Sequence, residues 1–124
     1  MADEIREQLE TLYWWGVPTF FRAPHDEDPA NCDIGVLGIP HSSGNGSTER
    51  DQHLGPRAVR GVSSHNRRPH RDFGIHPFED VRVADLGDVP LPEAMDNEAC
   101  IDRIEAAARR AADAGTRLVS IGGD

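Results

Sequence analysis

Three short apolar runs, separated by two stretches of helical periodicity, constrain this chain more than anything else in it. The runs are Asp33-Ile34-Gly35-Val36-Leu37-Gly38-Ile39-Pro40, Val81-Arg82-Val83-Ala84-Asp85-Leu86-Gly87-Asp88-Val89, and Thr116 onward through Leu118-Val119-Ser120-Ile121-Gly122-Gly123-Asp124. Strands buried on both faces read as continuous apolar runs of this kind, and proline ends the first because it cannot donate to a ladder. Between the first two, Gly55-Pro56 opens a helix, with proline where its missing N–H costs nothing. Ala58, Val59 and Val62 supply that helix's apolar side, and Pro69 limits its reach. Between the second and third, Asp96 is placed as an N-cap, and Ile101, Ile104, Ala108 and Ala111 fall on one stripe. Gly115 is placed to stop that helix in a left-handed conformation. Strand, helix, strand, helix, strand predicts an α/β fold with a parallel sheet and right-handed crossovers.

Ahead of the first strand, Ile5, Leu9 and Leu12 lie at helical spacing among charges, which predicts a short amphipathic helix over residues 3–12. Five aromatics then fall within nine residues: Tyr13, Trp14, Trp15, Phe20 and Phe21. They are expected to be buried, as an arm packed on the domain or on a neighbouring subunit, the alternative being an aromatic wall of a ligand pocket. Residues 24–30, acidic and with two prolines, read as a loop, and residues 73–79 read as irregular. The polar, glycine-bearing loop of residues 41–54 is long for a compact α/β unit, and loops of that length are more often functional.

Composition removes several function classes. A net charge of -9, from 13 basic and 22 acidic residues, argues against a nucleic-acid or anionic-membrane surface, where basic groups carry the affinity. No apolar run approaches the length of a membrane span, and the acidic start Met-Ala-Asp-Glu lacks the apolar core of a secretory signal. Cys32 and Cys100 stand far apart and read as buried free thiols in a reducing cytoplasm. One domain at most fits 124 residues.

In open α/β sheets ligands sit beyond the carboxyl ends of the strands. The glycine pair Gly122-Gly123 and the carboxylate of Asp124 stand at such an end, as does His41, directly after the first strand. His41 is therefore the histidine singled out as substrate-facing. The others, His25, His53, His65, His70 and His76, form no paired metal-ligand spacing. Gly44-Asn45-Gly46 matches no phosphate-binding motif, which sets nucleotide binding aside. Arg57 and Arg60 read as helix cations bonded to carboxylates, and Asp85 and Asp88 as turn-capping aspartates.

Four segments in order resemble the ureohydrolase family, the arginases and agmatinases. Residues 34–40 resemble its opening strand with a G-x-P ending. Leu54-Gly55-Pro56-Arg57-Ala58-Val59-Arg60 resembles its G-P-x-x-[IL]-R helix start, and Asp85-Leu86-Gly87-Asp88-Val89 its D-x-G-D-V strand end. Residues 118–124 resemble its third strand, which runs on in the family as G-G-D-H. The aromatic arm makes the pattern more similar to agmatinase-like members than to arginases proper.

The resemblance implies a three-layer α/β/α fold, of which residues 33–124 would be the truncated N-terminal part, preceded by an arm over residues 1–32. It implies hydrolysis of a guanidino compound, of agmatine or guanidinobutyrate type, to urea and an amine. A pair of divalent metals, manganese or in some members nickel, supplies hydroxide for attack on a poor electrophile. It further implies a cytoplasmic homo-oligomer, a trimer or hexamer. None of the family's metal ligands matches a residue of this chain, since the first would follow Asp124. The fragment is therefore expected to bind no catalytic metal and to be inactive. Asp124, Gly122 and Gly123 would be structural or orient the ligands, and His41, Ser42 and Asn45 would form the rim of the substrate pocket. The segment Ser47-Thr48-Glu49-Arg50-Asp51-Gln52-His53 departs from the small-residue stretch of many agmatinase-like members. The alternative is a non-catalytic α/β module that binds a partner subunit through Trp14, Trp15 and Phe20.

Overall fold

In a computed structural model, residues 2–42, 51–65 and 69–123 are described. Three strands, β1 (Ile34–Ile39), β2 (Val83–Asp88) and β3 (Arg117–Gly122), form one parallel sheet in the order β2-β1-β3. Helix α1 (Ala2–Glu10) precedes the sheet. Helix α2 (Gly55–Val62) and the short α3 (Pro77–Asp80) lie between β1 and β2, and α4 (Asn97–Asp113) joins β2 to β3. The family-like α/β arrangement is thus present. The stretch expected to be irregular before β2 contains α3, which Pro77 starts without loss of a hydrogen bond.

The centre of β1 is buried, as a strand between two neighbours must be. On one face of the sheet Leu37, Ala84, Leu86 and Val89 pack with Cys32, and Ile39, Leu118, Ile104 and Ala107 close over them. Of the expected stripe on α4, Ala111 is buried and Ile104 and Ala108 are half-buried, but Ile101 is exposed, and Cys100 takes the buried position beside it. Cys32 and Cys100 are buried free thiols, as expected. Asp96 caps α4 as expected: its carboxylate accepts from the Ala99 N–H at 3.1 Å. Helix α2 covers the other face, with Pro56 against Gly38.

The two edges of the sheet differ. Residues 24–26 run alongside β2: the Asp85 N–H donates to the Pro24 carbonyl at 2.8 Å, and the Asp26 N–H to the Asp85 carbonyl at 3.0 Å. That edge is covered by the N-terminal segment. Strand β3 has no such cover among the described residues, and most of its residues are exposed.

The arm corrects one expectation. Of its aromatics only Phe20 is fully buried; Tyr13 is 55% and Trp14 66% exposed. Arg22 ties the arm to α1, donating to the carbonyls of Trp15 and Glu10. Phe21 and Arg22 are both left-handed, at φ 54° and 59°. That reversal aims Phe20 into the protein and leaves Tyr13 and Trp14 outside.

Candidate functional site

The carboxyl ends of β1 and β3 meet in one interlocked edge. The Ile39 carbonyl accepts from the His41 N–H at 2.8 Å and from the Gly123 N–H at 3.4 Å. A Cβ on Gly123 would lie 2.1 Å from the His41 carbonyl oxygen, so no other residue fits that approach unless the backbone moves. A Cβ on Gly55, at the start of α2, would lie 2.7 Å from the Gly122 carbonyl oxygen. Three elements thus close on one another through missing side chains.

The residues expected at the site are partly gathered there. His41 Nε2 lies 3.2 Å from Asn97 Oδ1, the first residue of α4. Ser42 Oγ lies 3.5 Å from His53 Nδ1. Gly122 and Gly123 stand against Gly55 and His41 as described. Asn45 and Asp124 lie outside the described residues. Sequence reasoning missed Asn97, because it attended to the cap beside it. It also read Gly55 only as a helix start.

Behind this edge lies a buried ionic knot. Arg60 on α2 bonds both oxygens of Asp85, through Nε at 2.8 Å and Nη2 at 3.0 Å, and donates through Nη1 to Asp88 at 2.7 Å. Residues three apart on a regular strand point to opposite faces. Here the register slips between Val36 and Gly38 of β1, and Gly87 takes φ 82°, so Asp85 and Asp88 both reach Arg60. The guanidinium also lies 4.0 Å above the Phe20 ring. Asp85 accepts further from the N–H groups of Phe20 and Gly87. Burial pushes the Asp85 carboxyl up, but Arg60 and those two amides outweigh it and hold the group below the usual carboxylate range. Burial pulls the Arg60 guanidinium down, and the two aspartates more than restore it. The expected helix-surface cation is therefore a largely enclosed one, with its side chain 14% exposed, while Arg57 is exposed. The capping role expected of Asp85 is present.

Among the described residues no group of three or more His, Cys, Asp or Glu side chains could hold a metal ion, so these residues do not fit the metal pair that the resemblance implies. Cavities of about 550 Å³, beside Tyr13, Arg22 and His65, and about 460 Å³, beside Cys32, Asp33 and Arg82, lie away from the strand ends that carry His41 and Gly123. No helix among the described residues is long and apolar enough to cross a membrane.

Comparison with known proteins agrees with this architecture. The model of the Arginase family matches residues 32–124. The guanidinopropionase of Pseudomonas aeruginosa is 41% identical over 109 residues, which is 88% of this chain and 34% of that protein. The mitochondrial guanidino acid hydrolase of Homo sapiens is 31% identical over 109 residues, 88% of this chain and 30% of that protein. The structure of proclavaminate amidinohydrolase from Streptomyces clavuligerus superposes with a TM-score of 0.80 at 30% identity, covering 91% of this chain and 37% of that one. The chain spans about a third of the length of the curated relatives it matches. The fold, the order of the strand-end motifs and these matches agree, and the chain belongs to the arginase family.

Proposed function

We propose that this chain is the N-terminal part of an amidinohydrolase that releases urea from a guanidino acid. Residues 1–32 form its arm and residues 33–124 the opening of its α/β domain. The observation that carries this reading is the meeting of His41, Asn97, Gly55 and Gly123 at the carboxyl ends of β1 and β3, where open α/β sheets bind their ligands. A guanidino acid is favoured over agmatine because the guanidinopropionase is 41% identical to this chain, against 28% for the mitochondrial agmatinase of Gallus gallus over an equal share of it.

In this reading His41, Ser42 and Asn45 form the rim that meets the substrate tail. His41, whose Nε2 lies 3.2 Å from Asn97 Oδ1, supplies polar contact to the substrate tail, and Asn97 orients its ring. Gly122 and Gly123 carry the chain from β3 into the reacting centre, and Asp124 orients the ligands there. A divalent metal pair, manganese or nickel, would be held by residues outside this chain and would supply hydroxide near neutral pH. The complete protein is a cytoplasmic homo-oligomer, a trimer or hexamer, in which Tyr13 and Trp14 of the arm pack on a neighbouring subunit.

Urea release by the complete protein with manganese tests the reading. Guanidinopropionate and guanidinobutyrate are expected to exceed agmatine by at least about tenfold in kcat/KM, the discrimination of one well-placed polar contact. Urea from agmatine alone would reverse the substrate assignment, and no urea from any guanidino compound would remove the function.

A further inference from the structure

Gly55 is an odd residue for the start of α2. Glycine is among the weakest helix formers, and this helix already contains a second one, Gly61. The two differ in their surroundings. A Cβ on Gly61 would meet nothing within 4 Å, whereas one on Gly55 would lie 2.7 Å from the Gly122 carbonyl oxygen and 3.4 Å from the Gly123 nitrogen. Gly123 in turn abuts the His41 backbone and donates to Ile39. The start of α2 therefore limits where β3 can leave the sheet, and the end of β3 limits where the turn at His41 can lie.

We propose that Gly55 is a positioning residue for the strand-end site. By lacking a side chain it lets the end of β3 seat against α2, and that seating fixes Gly123 against His41. Gly55 touches no substrate in this arrangement; it acts through the backbone of Gly122 and Gly123. The inference rests on reading the strand-end edge as the site, but its physical core does not. A local helix role and a positioning role make opposite forecasts for alanine. As a helix residue alone, Gly55→Ala should be neutral or stabilising. As the seat of β3 it should free the strand end while the rest of the sheet holds.

The test is amide hydrogen exchange on the chain, with Gly61→Ala as the background. That substitution faces open space and should raise the folding constant roughly fivefold through helix propensity. In this background Gly55→Ala is expected to lower protection of the Gly123 amide by about tenfold or more, as a local opening. Protection of the Val89 amide, which donates to Gly38 in the β1–β2 half, should stay unchanged. Unchanged protection at Gly123 overturns the proposal. So does equal loss at Gly123 and Val89, which would make Gly55 a residue of global folding.

In the complete enzyme, Gly55→Ala should lower kcat for urea release by roughly a hundredfold, the cost of a small misplacement, with KM nearly unchanged. Full retention of kcat overturns the proposal. If the wild-type enzyme releases no urea, the functional reading falls, while the exchange result still decides whether Gly55 seats β3.

Discussion

Arg60 and Asp85 show what single residues settle in this protein. Breaking a mostly enclosed charge pair by changing one partner is costly because the other charge is left behind. Asp85→Asn is expected to destabilise the chain by about 3 kcal/mol in urea unfolding; Arg60 keeps only the more exposed Asp88. The pH dependence has a definite sign. Asp85 is held below its ordinary value in the folded state, so the folded protein gives up this proton at a lower pH than the unfolded chain does. Its stabilisation is complete above the unfolded value of about 4 and is lost as the pH falls through the lower folded value. The stability gap between wild type and Asp85→Asn should therefore be constant from neutral pH to about 5 and shrink below about 4 in urea titrations. A gap that widened on acidification would contradict the assignment. Asp33 with Arg82 and Glu93 with Arg103 shift in the same direction but stand exposed, where ion pairs contribute little. That Arg60 would find carboxylates, and that Asp85 would cap backbone amides, was legible in the residue types. Their enclosure was not, because it depends on the bulge at Gly87, which brings two strand residues to one side and has no periodicity to announce it.

At the scale of elements, local chemistry and periodicity carried most of the reading. Each strand lies within a residue or two of its apolar run, and α4 starts at its cap. Asp96→Ala should cost about 1 kcal/mol of stability, measured by thermal or urea unfolding, with little change elsewhere. The errors came from tertiary contacts. The stripe on α4 was drawn through Ile101, although Cys100 occupies the buried position. The aromatic arm was expected inside, but only Phe20 enters, because left-handed Phe21 and Arg22 turn the chain there. The arm divides accordingly. Phe20→Ala, which empties a fully buried site beneath Arg60, should cost about 3 kcal/mol or more. Trp14→Ala should leave the stability of the isolated chain within about 0.5 kcal/mol, as exposed substitutions usually do. In the complete protein the same Trp14 change should shift the oligomer toward smaller species by light scattering. An unchanged mass would remove the arm from the assembly surface. At the candidate site the sequence marked His41, Gly122 and Gly123 by their place after strands. It could not mark Asn97 or the seat at Gly55, since both arise where α2 and α4 return to the sheet.

For the whole molecule, the parallel order β2-β1-β3 leaves the faces unequal. The β2 edge is covered by residues 24–26, while β3 stays largely exposed, and parallel strands are ordinarily covered on both faces. The 124-residue chain alone is therefore expected to unfold with a free energy below about 5 kcal/mol in urea, under the usual range for domains. It should also bind no catalytic metal pair; two tight manganese sites by isothermal titration calorimetry would contradict the division of labour proposed above. The decisive measurement is urea release by the complete protein, assayed with manganese and guanidinopropionate. Urea should form, and its formation should depend on the metal. A complete protein that forms no urea from any guanidino compound would contradict the proposed function.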